Sequence, residues 1–98
     1  MDVIIEIPPV NAEQAVDGMR AAFLRPFGRG PVGRRIGGAA WSAFSAALVH
    51  GMGIDAASAM AQTAARAHNA RTMLAARWSE RRLTVAVTVA AASAAVAT

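Results

Sequence analysis

The chain has 98 residues, no cysteine and a formal charge of +4, and all ten of its basic residues are arginine. That length predicts one domain, and the missing cysteines exclude a disulfide framework and a cysteine-ligated metal site. Apolar residues make up 55% of the chain, but 26 of the 98 residues are alanine, which favours helix and offers little area to bury.

A core built from alanine is thin, so part of the stability is expected to come from a partner or from other copies of the chain. A coding bias toward GC-rich codons explains both the alanine and the arginine without lysine. Retention of arginine for forked hydrogen bonds to phosphate or carboxylate is the functional alternative.

Met1-Asp2-Val3-Ile4-Ile5-Glu6 has neither a basic start nor a long apolar core, so it does not read as a signal peptide. Asp2 to Ile7 is rich in Val and Ile and alternates, which predicts a strand with Val3, Ile5 and Ile7 on one face. Pro8-Pro9 ends it. A helix is expected over 11–25. Asn11 is a good N-cap, Gln14 gives the capping-box spacing, and Val16, Met19, Ala22 and Phe23 form the apolar stripe. Pro26 stops it. The stretch 26–38 reads as a loop rich in glycine and arginine.

A second helix is expected over 39–50, with Trp41, Phe44, Ala47 and Leu48 on one face and Gly51 as the stop. A third is expected over 55–81, about 40 Å long. Asp55 caps it, and Met60, Ala64, Ala67, Leu74 and Trp78 share a narrow arc. Leu83, Val85, Val87 and Val89 alternate with Thr84, Ala86, Thr88 and Ala90, which predicts a strand over 83–90, followed by a small apolar tail at 91–98.

The expected architecture is therefore one α+β domain, mostly helical. It has three helices and short terminal strands at 1–8 and 83–90, which pair with each other or with a neighbouring chain. Trp41-Ser42-Ala43 departs from the Trp-x-Gly turn of short helical-hairpin secretion substrates, and no family is identified.

Chemistry-bearing residues are few. His50 and His68 read as capping or packing residues, and the carboxylates are scattered, so neither a metal site nor a cofactor is expected. No Gly-x-Ser-x-Gly elbow is present. In the glycine-arginine stretch, Arg29, Arg34 and Arg35 stand among Gly28, Gly30 and Gly33. Backbone amides and guanidinium groups there offer an anion or nucleic-acid contact, with a solvated connection as the plain alternative. Arg81 and Arg82, with Arg77, make a second basic cluster.

Arg71 falls inside the apolar arc of the third helix, where an unpaired charge is costly. It is therefore expected to reach water, to pair with a carboxylate such as Glu6, Glu13 or Asp17, or to meet one on a partner chain and mark an interface together with Leu74, Trp78, Val85, Val87 and Val89. Ala43-Ala47 and Ala57-Ala61-Ala65 give small-xxx-small spacing, which suits close packing within one hairpin or between chains.

The two uncharged stretches, 36–54 and 83–98, run 19 and 16 residues. A spanning helix needs about 20 mainly apolar residues, so a membrane-associated hairpin is the weaker alternative. The leading expectation is a non-enzymatic structural or assembly protein. It would be a subunit of a homo-oligomer or of a larger complex such as a virion, working in the cytoplasm or inside that assembly and partnering itself or other protein subunits. A small basic protein binding nucleic acid or another acidic partner is the runner-up.

Overall fold

The structure, a computed structural model, describes residues 12–97. In chain order it comprises α1 (Ala12–Leu24), a 3₁₀ turn (Arg25–Phe27), α2 (Pro31–Val49), α3 (Ile54–Ala70), a second 3₁₀ turn (Leu74–Ala76) and α4 (Glu80–Val96). Among the described residues there is no strand, which corrects the α+β expectation to an all-helical fold. The predicted strand at 1–8 and the Asn11 cap lie outside the described residues.

The element boundaries follow from local chemistry. Pro26 cannot continue the α1 ladder, and the chain tightens into the 3₁₀ turn. Gly28 then takes a φ of 75°, which reverses the chain. Gly30 is extended and Pro31 opens α2 at its first position, where a missing N–H costs nothing. Arg34 N donates to Gly30 O at 2.9 Å, closing the first turn. The second half of the stretch expected to be a loop is thus helix, and α2 begins eight residues earlier than expected.

α2 ends in a Schellman motif. Gly51 is left-handed (φ 80°), its N–H donates to Leu48 O, and Met52 N donates to Ala47 O.

The single helix expected over 55–81 is instead two helices. α3 stops at Ala70, and the side chains around the break satisfy its end. Arg77 donates from Nη2 to Ala70 O at 2.6 Å and from Nε to Thr72 O at 2.8 Å. The Asn69 side chain donates to Trp78 O and accepts from Trp78 N, both at 2.9 Å. Ser79 then caps α4, its Oγ accepting from Arg82 N. The segment read as an alternating strand, 83–90, is the middle of this helix, and the tail expected from 91 onward continues it to Val96.

The helices form a four-membered ring of neighbours. α2 pairs most extensively with α3, α3 also meets α4, and α4 closes against α1. Ala57, Ala61 and Ala65 of α3 are fully buried, so the small-residue stripe packs inside the α2–α3 hairpin rather than outside it. Phe23, Ile36, Phe44, Leu83 and Val87 are the largest fully buried side chains, and most of the remaining core is alanine. Met60, expected on the apolar arc of the third helix, is 48% exposed.

Phe23 and Phe44 approach to 4.9 Å between ring centroids, and Phe27 lies 6.1 Å from Trp78 at 18°. Gly33 and Gly37 explain how the turn bearing Phe27 crosses α2 so closely. A Cβ on Gly33 would overlap the Phe27 carbonyl oxygen and lie 3.0 Å from Trp78, and one on Gly37 would lie 2.9 Å from the Phe27 ring.

Candidate functional site

Two surfaces stand out, one defined by charge and one by exposed apolar side chains. The charged surface is built where α1 ends and α2 begins. Arg20 and Arg25 come from the last turns of α1 and the 3₁₀ turn, and Arg29 and Arg34 from the connection and the first turn of α2. Together they line a cleft of about 640 Å³ whose floor includes Leu24, Phe27 and Gly33. All four arginines are exposed, and among the described residues no carboxylate lines the cleft.

The second surface is the outer face of α4. Val85, Val89, Ala92 and Val96 follow one another at steps of four, three and four residues, which aligns them along one side of the helix. All four are exposed: Val85 by 53%, Val89 by 46% and Val96 by 87%, with Ala92 in the exposed class. The opposite side, Leu83, Ala86, Val87, Ala90, Ala91 and Ala94, is buried. Two grooves flank the outer stripe. One, of about 500 Å³, runs beside Pro26, Arg81, Val85 and Val89; the other, of about 570 Å³, lies against Gly18, Ala21 and Ala22 of α1.

The structure separates the basic residues that the sequence grouped. Arg29 and Arg34 share the first cleft. Arg35 faces a different one, with His68 and Arg71. Arg81 and Arg82 border the α4 groove, and the Arg82 guanidinium lies 3.9 Å over the Trp78 ring, a cation–π contact. Gly33 is buried beneath Phe27 and serves packing, so it does not cradle an anion.

Of the residues expected at an interface, Trp78 and Val87 belong to the core. Trp78 is drawn in because its indole fills the space over Gly33 and Phe27. Val87 is drawn in because helical rather than strand geometry turns it away from Val85 and Val89. Leu74, Val85 and Val89 remain on the surface, with Leu74 80% exposed. Arg71 sits exposed in the turn that ends α3, not within an apolar helical face.

Sequence reasoning missed Arg20 and Arg25 because arginines late in a helix are accounted for by the helix dipole alone. It missed the Arg77 and Asn69 clamps because no break in the third helix was foreseen. The spacing of Val85, Val89, Ala92 and Val96 was legible but masked by the stronger two-residue alternation.

Among the described residues no group of three or more His, Asp or Glu side chains gathers where a metal ion would sit. No described helix is long and apolar enough to cross a membrane. Compared with family models, curated proteins and solved structures, the chain matches none.

Proposed function

We propose that this chain is a non-enzymatic assembly subunit that pairs with a second copy of itself through the outer face of α4. The observation that carries this reading is the exposed stripe of Val85, Val89, Ala92 and Val96 on a helix whose other face is already buried. A helix apolar on both sides is one that proteins normally cover on both sides. A core rich in alanine buries little area per residue, so a further buried face contributes a larger share of stability here than in a domain with a bulkier core.

Charge selects the way two copies meet. Arg81 and Arg82 lie in the first turn of α4, and no basic residue lies in its last turn. Parallel pairing would bring like charges together, whereas antiparallel pairing sets each arginine pair beside the partner's C-terminal carbonyl groups. A two-fold, self-complementary contact follows. A stable interface buries on the order of 800 Å² per partner, more than one stripe offers. The surface therefore takes in the grooves toward Pro26 and α1.

Size-exclusion chromatography with light scattering tests the reading. The wild type is expected at twice the chain mass at micromolar concentration. Val89→Glu, a substitution at a half-exposed helical position, is expected at the single mass with an unchanged helical circular dichroism spectrum. A wild type that runs as a monomer at 100 µM, on the order of a weak interface's dissociation constant, would overturn it.

A further inference from the structure

We infer that the cleft lined by Arg20, Arg25, Arg29 and Arg34 binds the phosphodiester backbone of duplex nucleic acid, without reading its sequence. Four arginines line one cleft of about 640 Å³, and among the described residues no carboxylate lines it. The single ion pair among the described residues, Arg66 with Glu80, lies elsewhere. Arginine presents a planar fork that matches phosphate oxygens two at a time.

The form of the site favours an extended polyanion over a small one. All four side chains are exposed and are spread along the ends of α1 and α2 rather than converging on a buried point. A polymer with regularly spaced charges can engage such donors together. Base reading has no support in the cleft. Its one aromatic residue, Phe27, is 2% exposed and committed to the core, so no ring is presented for stacking. A lipid surface is less well matched, because among the described residues none of the exposed large apolar side chains lines this cleft. Arg25 also borders the groove toward α1, but Arg20, Arg29 and Arg34 border neither α4 groove, so three of the four cations lie clear of the pairing proposed above.

Fluorescence anisotropy with a labelled mixed-sequence duplex of about 20 base pairs tests this. Each phosphate contact contributes about 0.9 to the slope of log affinity against log salt, so four contacts predict a slope near −3.6, or roughly 100-fold weaker binding at 200 mM than at 50 mM salt. Arg29→Gln with Arg34→Gln is expected to halve the slope and to weaken binding at least tenfold at 50 mM salt. Arg29→Lys with Arg34→Lys, which keeps the charge, retains most of the slope.

The matched control, Arg35→Gln with Arg71→Gln, removes the same charge from a different cleft and is expected to leave the slope unchanged. Vesicles of phosphatidylserine and inorganic tripolyphosphate serve as competitors, and both are expected to displace the duplex only weakly. Absence of duplex binding at 50 mM salt, an equal loss in the control pair, or tighter binding to the vesicles or to tripolyphosphate than to the duplex would each overturn the inference.

Discussion

Gly33 and Gly38 stand five residues apart on α2 and meet an added methyl group in opposite ways. Gly38 has nothing within 4 Å of a Cβ and is exposed, whereas Gly33 lies under the Phe27 carbonyl and the Trp78 ring. Gly38→Ala is expected to stabilise the protein by about 0.5–1 kcal/mol, the ordinary helical advantage of alanine over glycine. Gly33→Ala gains the same local term but forces the turn at Phe27 off α2. Its net effect is expected to be a loss of roughly 1–3 kcal/mol, the usual cost of overpacking.

Urea denaturation of the two variants checks both signs, and a neutral Gly33→Ala would mean that the turn does not seat on α2 as described. The same residues explain why the loop was misread. Three glycines in eight positions argue against helix at about 1 kcal/mol each, and nothing local reveals that two of them receive Phe27. Pro31 suits the first position of a helix, but the glycines that follow it argue the other way.

At the scale of elements, α4 shows how far a local pattern misleads. Val85, Val87 and Val89 alternate, and β-branched residues favour strands by tenths of a kcal/mol each. Yet Leu83, Ala86, Val87, Ala90, Ala91 and Ala94 repeat at helical spacing, and Ser79 followed by Glu80 is a helix start. Alanine is compatible with either face of either element, so its periodicity is nearly silent in sequence. Ser79→Ala is expected to cost about 1 kcal/mol, an effect that a strand at this position would not produce.

The break between α3 and α4 has no glycine or proline to announce it. It exists because burying Trp78 beside Phe27 requires the chain to turn, which is a tertiary cause. Asn69 pairs with both backbone groups of Trp78, so Asn69→Ala is expected to lose about 2 kcal/mol, two partly buried hydrogen bonds at about 1 each. Glu80→Gln breaks the Arg66 pair, but both side chains are at least half exposed, and the loss is expected to stay below about 1 kcal/mol. Thermal unfolding of the two variants ranks them, and the reverse order would show that charge rather than the amide clamp holds the connection.

For the whole molecule, composition was the better guide. Alanine richness pointed to a thin core, and the described core is four helices joined by a few aromatic rings and many small side chains. What composition did not locate was the exposed apolar line on α4. That required knowing that α4 is a helix, which alone places Val85, Val89, Ala92 and Val96 on one line.

If the proposed pairing through that line is part of what keeps the chain folded, stability must depend on how much protein is present. Unfolding of a dimer releases two chains, so a hundredfold rise in concentration adds about 2.7 kcal/mol to the dimer's stability by mass action. Shared between two chains of this length, that corresponds to a rise in Tm of roughly 5–10 °C. Val89→Glu is expected to abolish this dependence while keeping a cooperative transition at a lower temperature. Melting curves at 2 and 200 µM check both expectations. A wild-type Tm that does not move with concentration would separate the exposed valines from stability and leave the four-helix core to stand alone.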